Sequence, residues 1–105
     1  MEQVSPASAP RVDATPAPWR RTGATVRRLR IALGMIQYDL GVALGYQSSS
    51  ANATISKFES GRALPTSLTL ARLALLCEAR GVAPEAARDL LRAVCDDGLA
   101  TPPME

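Results

Sequence analysis

The fold is decided by Gln37-Tyr-Asp-Leu-Gly-Val-Ala-Leu-Gly45 and by Ile55-Ser-Lys-Phe-Glu-Ser-Gly61, which begins ten positions after Gly45. Apolar residues recur in both segments at the three- and four-residue spacing of an amphipathic helix. A glycine ends each segment, as is common where a helix terminates in a left-handed residue. The two segments therefore predict a pair of short helices joined by a glycine-containing turn.

This layout is that of a helix-turn-helix, in which the second helix is presented to the major groove of DNA. The sequence therefore predicts a protein that binds duplex DNA and regulates transcription.

Length and composition favour one small all-α domain. The chain has 105 residues, of which 47% are hydrophobic and only 4% aromatic, so the core must be aliphatic. An Ala- and Leu-rich composition favours helices packed on helices. Residues 25–65 carry five Lys and Arg against two acids, a net charge of +3 within an overall +2. The positive excess therefore lies on the helix-turn-helix, where phosphates would be met, although such a charge run also suits a solvated helix.

The sequence offers little for catalysis or metal binding. There is no histidine to act as a base or ligand, and Cys77 and Cys95 lie in apolar helical patterns without a C-x-x-C motif. We expect both cysteines to be buried, reduced thiols. No Gly-rich phosphate loop follows a strand and no apolar run could cross a membrane. We therefore expect a non-enzymatic cytoplasmic protein, nucleoid-associated when bound to DNA, with no cofactor and no metal.

Proline content divides the chain into three parts. Residues 1–24 contain four prolines and no apolar period, which predicts a disordered arm. We expect Trp19-Arg20-Arg21, at its end, to be solvated, to lie against the domain or to reach along a DNA groove. Residues 25–95 form the predicted domain, and residues 96–105 form a flexible tail.

Five helices are predicted within the domain. The first begins at the N-cap Thr25 and ends before Gly34, and the second covers 37–44. The third begins at about Ser49 or Ser50, and Gly61 ends it. The fourth follows a cap at Thr66 or Ser67 and stops at Gly81. The fifth runs from Pro84 to about Cys95. The predicted core-facing or apolar positions are Val26, Leu29, Leu33, Leu40, Ala43, Leu44, Ala51, Ile55, Phe58, Leu70, Leu73, Ala74, Cys77, Ala87, Leu90, Leu91 and Val94.

The third helix has an unusual outer face. With Ile55 and Phe58 turned to the core, the opposite face carries short polar or small side chains and one cation. These are Ser49, Ala53, Ser56, Lys57 and Ser60, with Asn52 at the border. Such a face can approach a groove closely, Asn can bond adenine and Lys can reach guanine acceptors; an ordinary solvent-facing surface is the alternative.

Four further residues flank this face. Gln37 opens the second helix, where its amide and the helix N-terminus can meet a phosphate. Arg62, directly after Gly61, is also placed for a phosphate. Arg30 and Glu59 border the apolar stripes of the first and third helices, which predicts a partly buried bridge that fixes helix orientation.

Residues 26–94 resemble the Cro/C1-type helix-turn-helix family, also called the XRE family, which includes phage repressors and many small bacterial regulators. The residues that carry the resemblance are Val26-Arg-Arg-Leu-Arg30, Leu33-Gly-Met-Ile-Gln37, Leu40, Leu44-Gly45, Thr54-Ile-Ser-Lys-Phe-Glu-Ser-Gly61 and Pro65.

The resemblance implies a five-helix bundle of the lambda-repressor-like type that binds a near-palindromic operator as a dimer. By position, Asn52, Ala53, Ser56 and Lys57 would face the groove, and Gln37 would contact phosphate and buttress the base-contacting side chains. Arg30 and Glu59 match the family's interhelical ion pair.

The chain departs from the family pattern in one place. The family has about four residues between the Leu-Gly of the second helix and the Thr-Ile-Ser of the third, whereas this chain has eight, from Tyr46 to Ala53. Four residues are about one helical turn, so either the third helix begins a turn early or the turn bulges. Either arrangement would place Ser48 to Ser50 near the DNA backbone.

The sequence therefore predicts a sequence-specific double-stranded DNA-binding regulator, a repressor acting as a homodimer. The alternative is that the same fold serves as a protein-interaction module, such as an antitoxin or an adaptor, whose ligand is another protein.

Overall fold

A computed structural model describes residues 17–100, which fold into five helices without a strand. The helices are α1 (Arg20–Leu33), α2 (Gln37–Ala43), α3 (Ser48–Glu59), α4 (Ser67–Ala79) and α5 (Ala86–Ala100). The all-α, five-helix prediction is confirmed. The α2–α3 pair packs most closely, α1 rests on α3 and α5, and α4 packs on α5.

The helix ends follow local signals. Glycines with positive φ angles stand after the first four helices, at Gly34, Gly45, Gly61 and Gly81, as predicted. The hydroxyl of Thr66 accepts a hydrogen bond from the backbone N–H of Thr69 at 3.1 Å, so Thr66 rather than Ser67 is the cap of α4.

An aliphatic core joins all five helices. Val26 and Leu29 of α1 are buried as predicted, and so are Leu40 and Leu44. The prediction for Ala43 is wrong, because Ala43 is exposed and Gly41 is buried in its place against α3. The remaining buried members of the cluster are Ile55, Phe58, Leu73, Cys77, Ala86 and Leu90.

Helix α1 begins at Arg20, five residues before the predicted cap at Thr25. The carboxylate of Asp97 on α5 accepts hydrogen bonds from the backbone N–H of Arg21 at 3.2 Å and of Thr22 at 2.7 Å. It also accepts one from the Thr22 hydroxyl at 2.9 Å. A residue 75 positions away thus satisfies the first amide groups of the helix. Residues 20–24 therefore belong to the domain and not to a disordered arm; residues 1–16 lie outside the described part.

The predicted end of α5 is also wrong. Asp96, Asp97 and Gly98 do not stop the helix, which continues through Ala100. Asp97 lies on its inner face, where it caps α1 and is only 5% exposed. The predicted tail therefore begins no earlier than residue 101, and residues 101–105 lie outside the described part.

Of the four apolar positions predicted on α5, only Leu90 is buried. The inward stripe consists of Ala86, Leu90, Ala93 and Asp97, because packing against α1 and α4 rotates the helix so that Leu91 faces outward. Leu91 is 67% exposed.

The two cysteines differ in their surroundings. Both are free, but Cys77 is buried and Cys95 is exposed, so the prediction that both are buried is wrong for Cys95. Burial raises the pKa of the Cys77 thiol, and the positive charge of Arg28 only partly opposes this. Cys77 therefore stays a protonated, apolar part of the core.

The buried carboxylate of Asp97 gives a test of how α1 is capped. Asp97→Ala should lower the free energy of unfolding by about 2–4 kcal/mol, because it leaves two backbone amides and a buried hydroxyl without an acceptor. Asp96→Ala is the matched control, since its side chain is 45% exposed in a 4.0 Å ion pair, and should change stability by less than about 0.5 kcal/mol. Urea denaturation measures both; equal effects would contradict the capping role.

Candidate nucleic-acid interface

The outer face of α3 is open to solvent along its whole length. Ala51, Ile55 and Phe58 are buried on the inner side, which turns the other side away from the domain. The exposed residues on that side are Ser49, Asn52, Ala53, Ser56, Lys57 and Ser60. The structure therefore places all four predicted base-contact residues together on one exposed surface of one helix.

The predicted phosphate-contact residues lie around this surface. Ser49 and Ser50 are exposed in the first turn of α3, and Arg62 is exposed just beyond its end. The backbone N–H of Arg62 donates to the Lys57 carbonyl at 3.1 Å, so the chain folds back on the last turn of α3. Hydroxyl groups thus stand at the amino end of this exposed surface, and the cation Arg62 stands at its carboxyl end.

The side chain of Gln37, which was predicted to contact a phosphate, is hydrogen-bonded within the domain to Glu59. Gln37 opens α2 and is half-buried, and its Nε2 donates to Glu59 Oε1 at 3.1 Å. The amide group thus supports the acid at the end of α3. The first turn of α2, which begins with Gln37, is otherwise exposed at Tyr38 and Asp39 and belongs to the helix that packs on α3.

Arg30 and Glu59 form a bridge between α1 and α3. The Arg30 guanidinium donates from Nε to Glu59 Oε2 and from Nη2 to Oε1 at 3.2 Å. Their side chains are 16% and 7% exposed. Arg30 Nη1 also donates to the Met35 carbonyl at 3.0 Å. Because Gln37 also donates to it, Glu59 of α3 is linked to both α1 and α2. The bidentate pair with Arg30 fixes the rotation of α3 about its axis as well as its distance from α1.

Glycines allow the backbone of α3 to lie very close to its neighbours. A Cβ on residue 41 would lie 2.6 Å from the Cβ of Ala51 and 2.7 Å from its carbonyl oxygen. A Cβ on residue 23 would lie 2.7 Å from the Glu59 carbonyl oxygen. Side chains at either position would push α3 outward, so glycine is required at both crossings.

The turn between α2 and α3 is short. Only Leu44 to Gln47 separate the two helices, since α3 begins at Ser48. Of the two predicted alternatives, the early start of the third helix is confirmed and the bulged turn is wrong. Tyr46 anchors this turn, because its hydroxyl lies 2.7 Å from the Thr69 hydroxyl and its ring packs edge-on against Phe58.

Comparison with protein families matches residues 26–79, slightly more than half of the chain, to a helix-turn-helix family model of the Cro/C1 or XRE type. The chain belongs to this family. Comparison with curated proteins and with solved structures gives no significant match.

Family membership assigns the lambda-repressor-like fold and makes this a DNA-binding helix-turn-helix of the kind that generally serves transcriptional regulation. Within residues 17–100, no cluster of His, Cys, Asp and Glu could hold a metal ion. None of the helices there is long and apolar enough to cross a membrane.

The Cro/C1-type match leaves out two parts of the described structure, the beginning of α1 and the whole of α5. It begins after Arg20–Thr25 and ends before α5. Trp19 donates its backbone N–H to the Gly61 carbonyl at 2.9 Å, which brings the exposed Arg20 to the end of α3. Of the placements left open for Trp19-Arg20-Arg21, packing of Trp19 and Arg20 against the domain is the one that the structure has. The small residues Gly23 and Gly61 were the available sequence signal for this close contact.

The Arg30–Glu59 bridge can be tested by a double-mutant cycle. Arg30→Met and Glu59→Leu should each lower the free energy of unfolding by about 2–4 kcal/mol, because each leaves a largely buried charge without its partner. The double variant should lose less than the sum by at least about 1 kcal/mol.

The exposed pair Arg28–Asp89, whose side chains are 57% and 36% exposed, is the matched control. Its coupling, from Arg28→Met and Asp89→Leu, should stay below about 1 kcal/mol. Chemical denaturation measures both cycles, and additive effects at Arg30 and Glu59 would contradict the assigned role.

Proposed function

We propose that the outer face of α3 enters the major groove of double-stranded DNA and binds a specific operator sequence. One observation carries this proposal: a helix held firmly on its inner side presents an exposed outer face of short side chains with a single cation. A solvent-facing helix without a ligand usually carries long charged side chains. Short ones let the helix backbone approach base edges closely.

Each groove-facing residue suits a particular kind of base contact. Asn52 is an amide able to bond the N6 and N7 groups of adenine, and Lys57 reaches the O6 and N7 acceptors of guanine. Ser56 can donate or accept, and Ala53 offers a methyl group to thymine. We assign base recognition to these four residues, all of which are exposed on α3.

Phosphate contacts fix the depth and angle of the helix. We assign them to Ser49 and Ser50 in the first turn of α3, Arg62 after its end, and Gln37 at the start of α2. Helix N-termini favour anions because their amide groups lack intrahelical acceptors. The first turn of α3 carries no acidic residue and its N-cap makes no side-chain hydrogen bond, so its amides face no competing anion.

We further propose that the protein acts as a repressor at the nucleoid in the cytoplasm. A domain of this size that occupies an operator blocks access to overlapping promoter DNA, and no cofactor is needed for that effect.

We propose a homodimer that pairs through α4 and α5. Their outward faces form an apolar groove that contains both a protruding side chain, Leu91, and a floor of small residues. The floor and walls comprise Leu70, Ala71, Ala74, Ala87 and Val94. A patch that holds both a protrusion and a recess can pair with itself about a two-fold axis. Its border carries both signs of charge, including Arg88, Arg92 and Asp96, so a second copy meets no like-charged field.

A protein-interaction module is the second candidate, and the same apolar groove is the observation that favours it. In that case the groove would bind a different protein and the outer face of α3 would contribute nothing to affinity.

DNA binding is tested by the salt dependence of affinity. Fluorescence anisotropy with an operator obtained from a random duplex pool should show a steep loss of affinity with salt. Lys57→Ala and Arg62→Ala should each reduce the slope of the logarithm of the binding constant against the logarithm of salt concentration by about one, because each removes one cation from the interface. Arg80→Ala, at the end of α4, is the charge-matched control and should leave the slope unchanged. Equal slopes for all three variants would favour the second candidate.

Pairing through α4 and α5 is tested by sedimentation equilibrium without DNA. Leu91→Asp should raise the dimer dissociation constant at least about tenfold, because it places a charge in a desolvated contact. Val42→Asp, a similar change on the exposed face of α2, should have no effect. A monomeric wild type at 100-fold the operator dissociation constant would rule out this dimer.

A further inference from the structure

The two ends of α3 are fastened to the domain by different kinds of contact. At the carboxyl end, the Arg30–Glu59 bridge and the Trp19–Gly61 backbone hydrogen bond hold the helix. Near the amino end, Ala51 is fully buried and lies directly against Gly41. The carboxyl end is therefore the fixed point, and the contact between Gly41 and Ala51 determines how far the amino end stands from α2.

We propose that Gly41 is a specificity-determining positioning residue, whose contact with Ala51 sets the angle of α3 and so the base pairs that Ser49 and Asn52 reach. The inference rests on the proposed insertion of α3 into the major groove. It adds that the base preference of the amino-terminal half of α3 is set by a buried glycine that does not touch DNA.

The size of the expected displacement follows from the geometry. Ordinary contact starts at 3.4 Å, whereas a Cβ on residue 41 would lie 2.6 Å from the Cβ of Ala51. With α2 in place, Gly41→Ala moves Ala51 outward by about 0.8 Å. Ala51 lies about 10 Å from Phe58 along the helix, at 1.5 Å per residue. Rotation about the fixed end is then about 4°.

This rotation affects the two halves of α3 unequally. In proportion to distance from Phe58, Ser49 moves by about 1 Å and Asn52 by about 0.7 Å, but Lys57 moves by only about 0.1 Å. Protein hydrogen bonds span only about 0.5 Å in length. Contacts from Asn52 would therefore be broken or moved to another base edge, while contacts from Lys57 would persist.

The contact between α2 and the first half of α3 requires a small residue on each side, because a Cβ on residue 41 would also lie 2.7 Å from the carbonyl oxygen of Ala51. Ala51 supplies one small side chain and Gly41 supplies none.

Selection from a random duplex pool, followed by affinity measurements on single-base variants of the selected site, tests the inference. Asn52→Ala and Lys57→Ala first define which base pairs depend on each end of α3. Gly41→Ala should then reduce the preference at the Asn52-dependent base pairs by at least about fivefold, the lower range for one specific contact. The preference at Lys57-dependent base pairs should stay within about twofold.

Two further variants separate an altered angle from damage to the fold. Gly98→Ala is the matched control, because a Cβ there meets nothing within 4 Å, and it should leave every preference unchanged. Ala51→Gly removes the same contact without adding volume, and it should also reduce preference at the Asn52-dependent base pairs. Thermal unfolding by circular dichroism identifies folded variants, and if Gly41→Ala does not fold, Ala51→Gly decides the test.

Each outcome has a definite meaning. Unchanged preferences, or a uniform loss of affinity at all base pairs, would overturn the role of Gly41 while leaving the proposed function intact. A wild-type protein that selects no sequence would overturn the proposed function itself.

Discussion

The bridge between Arg30 and Glu59 is the constraint on which the interface depends. Neighbouring residues on a helix are separated by 100°, so a rotation of α3 by one position would replace its outer face. Glu59 prevents this rotation because it accepts hydrogen bonds from Arg30 of α1 and from Gln37 of α2. The charges add little net stability after their desolvation. Their effect is to select one orientation of the helix.

Close approach supplies the second constraint. The bridge fixes rotation, whereas the contacts at Gly23 and Gly41 fix distance, and each allows backbone or Cβ atoms to meet where any larger residue would separate the helices. The inner face of α3 is therefore held at a fixed distance from α1 and α2, and its outer face of short side chains is presented in one position.

Local signals were sufficient to predict much of this fold. The ends of the first four helices were predicted from a glycine that follows each apolar stripe. The stripes themselves identified core residues such as Leu29 and Ile55. Long-range contacts were not predictable in the same way. The start of α1 and the extent of α5 both depend on Asp97 and Thr22, which meet across 75 positions. From local sequence alone, Asp96-Asp97-Gly98 predicts the end of a helix, because nothing nearby in the sequence indicates that Asp97 meets Thr22.

The candidate site was predictable to a similar depth. Helical periodicity alone placed Asn52, Ser56 and Lys57 on one exposed face, and the structure has them there. The outward rotation of Leu91 was not predictable, because both faces of α5 carry apolar residues and only packing against α1 and α4 decides between them. Base recognition by α3 stays a prediction, and pairing through α4 and α5 is a proposal drawn from the exposed groove.

Chemical-shift mapping by NMR distinguishes insertion of α3 into the major groove from binding through α4 and α5. Titration of the labelled full chain with its selected duplex should shift the backbone amides of α3 and of the first turn of α2, with Asn52, Ser56 and Lys57 among the largest. Amides on the outer face of α5 should shift little at a protein concentration where the oligomeric state is unchanged. Shifts confined to α4 and α5, with none on the outer face of α3, would contradict the account.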